Sequence, residues 1–489
     1  MDDRTDGAID AGPPPGPEGD RVLRRRLRVV AVAPAALWTA VVVLWDEGPF
    51  AVTFDDAFYY FEIASRLADG QGSTFDGIGD TNGYHPLWMA ICTVPYLLGA
   101  SGMGAVRILL GLQAVLYGAT LWVLADLIAR AAGTWPRLVA ERAARADACR
   151  WAVVTAVALA AANPFVVRTS VSGLESILVV GVGAVLLDRA HRGPGTLLAD
   201  RTTRQRAVTA VLLVLAFLAR TDAVLLLATV GVAGLAEVRT RQMGRRGVVA
   251  LAALLAPAAI VVVVYLAANV AAFGGPQISG VVKRAPLDAA SVGAFGLVAL
   301  GCVVAIVRSG TRARRLEGGT RPSFGRASVY TSRTSWYGAF AVLTVAYYSF
   351  LSVQQWLWYY APAVGVMLGL PPVTVADAAE HSALDAAPER TAARLFGLPL
   401  AALLGFQGRA LIAPAPRAIR LANRAAGEWA SRELPADAVL ASWDAGVIGY
   451  FATQPVVNFV GVSNNVDWSG TTQLAGPAMA AALDAACVS

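Results

Sequence analysis

Pro86-Leu87-Trp88-Met89-Ala90-Ile91-Cys92-Thr93-Val94-Pro95-Tyr96-Leu97-Leu98 is the segment on which the topology of this chain turns. It is apolar almost throughout, but it is short. A helix needs about 20 residues to cross the hydrocarbon core of a bilayer, so we read this segment as interfacial or re-entrant. Working outward from it, the apolar run Val29 to Trp45 is the first span, a signal-anchor with no small-residue cleavage site before Asp46. The basic cluster Arg21 to Arg28 places the N-terminus in the cytoplasm. The return span is then 105–129, followed by spans at 151–168, 171–188, 206–220, 222–237, 248–272, 291–308, 336–353, 359–375 and 395–412. With these 11 spans the loops 130–150, 189–206, 238–247, 308–335 and 376–394 are inside, and with the N-terminal tail they hold 29 of the 40 basic residues. Counting 86–98 as a full span would put the Arg-rich loops outside, against the positive-inside tendency.

The composition agrees. Of 489 residues, 56% are hydrophobic and 15% charged, whereas soluble domains carry about 25% charged residues. This excludes a soluble globular enzyme, a disordered chain and a disulfide scaffold. The fold class expected is a polytopic α-helical membrane protein. Residues 1–28 form a disordered basic cytoplasmic tail, 29–412 a transmembrane module with a long outer loop at 46–104, and 413–489 a small α/β extracytoplasmic domain. In that last part Ala418 to Glu433 reads as a helix, and Val439–Trp443 and Val456–Val460 read as strands around an Asp444-Ala445-Gly446 turn. Cys92, Cys149, Cys302 and Cys487 show no metal or disulfide spacing. Nothing points to nucleic acid. The net charge is +6, with Lys283 the single lysine. A requirement for an ammonium and chance both account for that lysine.

The polar residues that interrupt this pattern gather on the outer side. The first outer loop opens Thr53-Phe54-Asp55-Asp56-Ala57-Phe58-Tyr59-Tyr60, and a helix is predicted from Asp56 to Asp69, stopped by Gly70. Its face with Phe58, Phe61, Tyr59 and Ile63 is expected to rest on the bilayer surface. One acid would serve as a helix cap. A second adjacent acid at membrane depth is costly unless it is used or neutralised. Asp76-Gly77 and Asn82-Gly83 read as turns, and His85 reads equally as a phosphate donor or a solvated interfacial residue. Glu175, the Arg220-Thr221-Asp222 break, the stretch Pro276 to Arg284, and Trp358-Tyr359-Tyr360 mark the outer ends of further spans. Arg220 and Asp222 also read as a local ion pair shaping a tight turn, and the aromatic residues as an interfacial belt. Structural accidents would be shared between both faces of the membrane, so one-sidedness argues for an outward-facing active site.

An enzyme on the outer face has no access to cytoplasmic nucleotide-activated substrates. A lipid-linked phosphate ester delivers the activated group instead. Its phosphate leaves as a stabilised anion, so one carboxylate base for the acceptor hydroxyl suffices. Arg220, Lys283 and His85 are the candidates for stabilising the phosphate charge. A transporter or flippase of lipid-linked sugars is the competing reading. It predicts polar residues at mid-membrane and a repeat between halves, and the sequence shows neither. An assembly protein would leave the paired acids without a purpose.

Asp55-Asp56-x-x-Tyr59-Tyr60, Gly70-x-Gly72-x-Thr74-Phe75-Asp76-Gly77 and Thr81-Asn82-Gly83-Tyr84-His85-Pro86-Leu87-Trp88 resemble the first outer loop of bacterial GT-C glycosyltransferases. These are membrane enzymes that use polyprenyl-phosphate sugars and are related to protein O-mannosyltransferases, aminoarabinose transferases and mycobacterial arabinofuranosyltransferases. Gly173-x-Glu175, Arg220-x-Asp222, Pro276-x-x-Ser279-Gly280-x-x-Lys283, Trp358-Tyr359-Tyr360-x-Pro362, and Asp444-Ala445-Gly446-x-x-Gly449-Tyr450 with Asn458 are similar to the same group, over roughly residues 29–465. The resemblance implies a multi-pass plasma-membrane (inner-membrane) enzyme of the cell envelope and an inverting transfer to a glycan, lipid or protein acceptor. Asp55 would be the general base, and Asp56 its support or a ligand of a divalent cation (Mg, Mn or Ca), which some relatives carry and others lack. His85, Arg220 and Lys283 would contact the donor phosphate. Tyr59, Tyr60, Asn82, Tyr84, Glu175, Asp222, Ser279, Trp358, Tyr359 and Tyr360 would line the substrate site. His85 stands where related enzymes carry a more basic residue. The outer domain is shorter than in that group, which implies acceptor recognition that is incomplete or supplied by a partner.

Overall fold

The computed structural model describes residues 44–132, 164–191, 197–199, 201–274, 289–317, 325–351, 357–361 and 415–459, with scattered positions from 25 to 42. The fold is mostly helical. Among the described residues, four helices are long and apolar enough to cross a membrane: Gly102–Leu127, Thr221–Thr240, Gly244–Phe273 and Ala289–Arg308. They match the expected spans 105–129, 222–237, 248–272 and 291–308. The expected span 206–220 is the helix Thr203–Ala219, and 336–353 lies mostly in Gly325–Phe350. The spans 151–168 and 359–375 lie largely, and 395–412 wholly, outside the described residues. Ile260, Val263 and Val264 on one long helix, and Leu297 and Leu300 on another, are exposed. Such apolar faces suit lipid.

Residues 86–97 form a helix of 12 residues, opened by Pro86 in the first turn, where its missing N–H costs nothing. It remains too short to span. The expected span 171–188 begins only at Ser176, because residues 171–175 form a turn in which Gly173 adopts φ +84. A Cβ on Gly173 would collide with Ala57 and meet Phe61 Cζ at 3.1 Å. This glycine lets the turn sit directly on the paired-acid helix.

That helix runs Asp55–Ala68 after the extended Phe54, with both acids in its first turn, where they complement the helix dipole. Gly70, at φ +73, follows its end. The expected bilayer-facing surface is instead inside the protein: Phe58 and Phe61 are fully buried, and Tyr59 and Ile63 nearly so. Their cover is the helix Ala445–Phe451, whose Tyr450 and Phe451 rings pack edge-on or tilted against Phe58. The sequence reading missed this because it treated the two segments, some 390 residues apart, as independent.

The C-terminal part contains the helix Ala415–Glu433 and a two-stranded parallel sheet, Leu440–Ser442 beside Val456–Asn458 with Leu440 opposite Val456. The helix Ala445–Phe451 connects the strands, so the expected turn at Asp444-Ala445-Gly446 is the start of a short βαβ crossover. Arg417, Arg420 and Arg424 recur on one face of the helix Ala415–Glu433 and hold it to the first loop. Arg417 pairs with Glu47, Arg420 Nε donates to the Phe50 carbonyl at 2.6 Å, and Arg424 lies over the Phe50 and Phe451 rings.

Contacts sort the span ends into two groups. Tyr450 Oη donates to the Gly102 carbonyl, Asn82 donates to Asn269, and the Thr221 amide donates to His85 Nδ1. The starts of two spans and the end of a third therefore surround the paired-acid helix. Away from it, Arg28 forms a bidentate pair with Asp126, and Glu237 accepts the amides of Leu197, Leu198 and Ala199. The second group holds the ends that carry the Arg-rich loops.

Candidate functional site

Asp55 stands at the junction of the two parts. Its Oδ2 accepts from the Gly446 amide and its Oδ1 from the Val447 amide, both at 2.9 Å. The residue that ordinarily caps that short helix, Asp444, makes no side-chain cap. Neither Asp55 nor Asp56 caps its own helix, for which Phe54 is the capping residue without a side-chain bond. The capping expected of this pair is therefore realised across the fold. Each carboxylate oxygen has two lone pairs, so both oxygens of Asp55 keep accepting capacity. Asp55 is half-buried. Burial pushes its carboxyl up to about 7; the two amide hydrogen bonds oppose this, while the charges of Asp56 and Asp444 add to it. A carboxylate in that range is matched to general-base work at neutral pH.

Tyr59 and Tyr60 point to different parts of the site. Tyr59 Oη accepts from the Ala445 amide at 3.0 Å and from Asn458 Nδ2 at 2.6 Å. Burial, and after it the Asp55 and Asp56 charges, hold Tyr59 as a phenol. Tyr60 Oη donates to Glu175 Oε2 at 3.1 Å and accepts from the His85 amide at 2.9 Å.

Glu175 leads into a buried charge cluster. Arg220 is 1% exposed. Its Nε and Nη2 bond Asp222, Nη1 bonds Glu175 Oε1 at 2.8 Å and the Trp358 carbonyl at 3.2 Å, and Nη2 also reaches Tyr348 Oη at 3.2 Å. All five guanidinium N–H groups are engaged. The local Arg220–Asp222 pair exists as the turn reading required, alongside the bonds to Glu175, the Trp358 carbonyl and Tyr348. The His85 ring takes the Thr221 amide at Nδ1, which leaves its proton on Nε2, 3.5 Å from Glu175 Oε1. Asn82 is buried and donates to Asn269 at 2.6 Å, so it does more than shape a turn. Tyr84 Oη is 2.7 Å from Ser73 Oγ.

The structure thus brings Asp55, Asp56, Tyr59, Tyr60, His85, Glu175, Arg220, Asp222 and Trp358 together. The Trp358 ring lies 4.5 Å from the Phe54 ring, and Tyr359 stacks on Tyr348 at 4.2 Å. Tyr360, at a ring distance of 6.5 Å, borders Tyr348 as well. Ser279 and Lys283 lie outside the described residues. Among the described residues no three His, Cys, Asp or Glu side chains converge as a metal set.

Sequence reasoning missed Arg168 and Arg420. The Arg168 guanidinium lies 4.7 Å over the Phe54 ring, and its buried Nε finds no acceptor among the described residues. The available signal was a basic residue at the end of an apolar run, outside the Arg-rich loops. For Arg420 it was the i, i+3, i+7 spacing of Arg417, Arg420 and Arg424.

Residues 415–484 match a family model described as a domain of unknown function, DUF8728. No curated protein matches the chain. Among solved structures, the chain is similar to ArnT from Cupriavidus metallidurans in the apo state, at 13% identity and a TM-score of 0.44, covering 86% of this chain and 85% of that one. A likeness this distant transfers no activity to the present chain.

Proposed function

We propose that the protein is an inverting GT-C-type glycosyltransferase that moves a sugar from a polyprenyl-phosphate donor to an acceptor hydroxyl, on the extracytoplasmic side of a plasma membrane. The observation that carries the reading is Asp55: a half-buried carboxyl near neutral titration, at the meeting of three span ends and the outer domain. The acceptor oxygen attacks the anomeric carbon and its proton passes to Asp55. The bond from that carbon to the phosphate oxygen breaks, and its electron pair leaves with the phosphate. Asp56 keeps Asp55 poised by repulsion, and would hold a divalent cation in an enzyme that uses one. His85 and Lys283 contact the donor phosphate. Arg220 positions Glu175 and Asp222, with Tyr60 and Tyr84 beside them, along the sugar site. Ser279, Asn82 and the Trp358, Tyr359 and Tyr360 rings complete the donor side, and Tyr59 joins the base to the outer domain. The spacing of polar residues supports transfer over passive transport, because they gather at span ends.

The test is release of polyprenyl phosphate from a panel of labelled polyprenyl-phosphate sugars by the purified full-length protein and its Asp55→Asn variant. Loss of a general base predicts a fall of about 10²- to 10⁴-fold. A variant that turns over at the wild-type rate overturns the assignment of Asp55. No donor consumed by either form overturns the transferase reading in favour of transport.

A further inference from the structure

The amides that aim Asp55 belong to a short backbone segment, and a buried side chain fastens that segment. Asp55 accepts from the Gly446 and Val447 amides, and Tyr59 Oη accepts from the Ala445 amide. Three consecutive amides, 445–447, therefore face the paired-acid helix. They follow the first parallel strand, which ends at Ser442 opposite Asn458 of the second. The Phe459 amide donates to the Ser442 carbonyl at 3.0 Å, so Asn458 is held on both sides by the pairing. It is fully buried. Its Nδ2 donates to the Trp443 carbonyl at 2.8 Å and to Tyr59 Oη at 2.6 Å. Both N–H groups of the side-chain amide are thereby spent. The Trp443 carbonyl can only accept, which fixes the end of the amide that faces it. These bonds close a circuit: Asn458 to the Trp443 carbonyl, along the backbone to the Ala445 amide, to Tyr59 Oη and back to Asn458. The next two amides on that backbone are the donors to Asp55, so Asn458 acts on the carboxylate through them. Gln454, buried in the same part, differs. Its Nε2 bonds the Ala430, Leu434 and Pro435 carbonyls and ties the C-terminal part only to itself.

We propose that Asn458 is a positioning residue: it holds the segment 443–447 so that the Gly446 and Val447 amides keep the Asp55 carboxylate aimed at the acceptor hydroxyl. The base role of Asp55 rests on the transferase reading above, whereas the hold on the two amides rests on the hydrogen bonds alone. A misplacement of about 1 Å at a reacting group costs about 10²-fold in rate. The donor contacts assigned to His85 and Lys283 lie on other segments, so the loss falls on turnover and spares donor binding. The carboxylate then comes from the first loop, and its aim from the C-terminal segment that matches the family model.

The test compares the purified full-length wild type with Asn458→Ala, Tyr59→Phe, their double variant, and Gln454→Ala as a control that loosens the same part elsewhere. Asn458→Asp keeps the volume and removes the N–H donors, and it stands in where Asn458→Ala does not fold. The readouts are kcat and KM for a polyprenyl-phosphate sugar that the wild type consumes, and hydrogen exchange at amides 445–447 without substrate. Asn458→Ala is expected to lower kcat about 10- to 100-fold, with donor KM unchanged and faster exchange at 445–447. The double variant is expected to lose no more than the worse single one, because both break one circuit. Gln454→Ala is expected to keep kcat and the exchange at 445–447. Unchanged kcat or unchanged exchange in Asn458→Ala overturns the proposal. So does an equal fall of kcat in Gln454→Ala, a loss carried by KM, or losses that multiply in the double variant. A wild type that consumes no donor sinks the transferase reading by itself. Faster exchange in Asn458→Ala and not in Gln454→Ala then still upholds the hold of Asn458 on the amides of Asp55, and equal exchange overturns it.

Discussion

Arg220 and Arg168 are both arginines at the ends of apolar runs, and their surroundings differ. Arg220 is enclosed by two carboxylates, a carbonyl and a phenol that use every N–H. Removing it leaves Glu175 and Asp222 buried without their counter-charge. Breaking such a buried pair costs about 3–5 kcal/mol, so Arg220→Ala is expected to lower the thermal midpoint of the purified protein sharply, and Glu175→Gln by less. An unchanged midpoint for Arg220→Ala would contradict the positioning role. The sequence displayed the Arg220–Asp222 pairing because both partners lie on one turn. It did not display the Glu175 contact, which depends on Gly173 bringing its turn against the paired-acid helix.

At the scale of elements, the interlock between the paired-acid helix and Ala445–Phe451 decides where the Asp55 carboxylate points. Its closeness rests on two glycines. A Cβ on Gly446 would collide with the Asp55 backbone and meet Asp55 Oδ2 at 2.8 Å, and one on Gly449 would press on the Phe75 ring. Overpacking of this kind costs about 1–3 kcal/mol. Gly446→Ala is therefore expected to loosen the outer domain, read as faster limited proteolysis between 413 and 459, while the membrane helices stay folded by circular dichroism. Proteolysis at the wild-type rate would show that the interlock is not under that constraint. The existence of these elements was legible in the sequence: the acidic first turn and Gly70 delimit one helix, and Arg spacing marks the outer helix. Their partnership was not, because amphipathic faces announce only that something covers them. Phe58 and Phe61 read as membrane-facing for that reason.

For the whole molecule, the sequence predicts a polarity of the spans from charge alone. The charge pattern separated two sets of ends, and the contacts group them the same way, with Asn269, Gly102 and Thr221 near the site and Asp126 and Glu237 away from it. Apolar length failed where a turn interrupted a run, as at 171–175. The polarity has a direct consequence for labelling. In a protein with its native cysteines replaced, Gln71→Cys is expected to react with a membrane-impermeant maleimide in intact cells. Gln242→Cys, exposed at the far end of the Thr221–Thr240 span, is expected to react only after permeabilisation. Reaction of both from the same side would dismantle the arrangement.

The proposal that Asp55 takes the acceptor proton is tested most directly by the pH dependence of kcat/KM for donor turnover. Asp55 acts only when ionised, and its surroundings hold it at about 7, so the wild-type rate constant is expected to climb with pH through that value and then level off. Asp55→Asn is expected to lose that limb together with about 10²- to 10⁴-fold of the rate. An Asp55→Asn variant that keeps both the rate and the ascending limb would contradict the account.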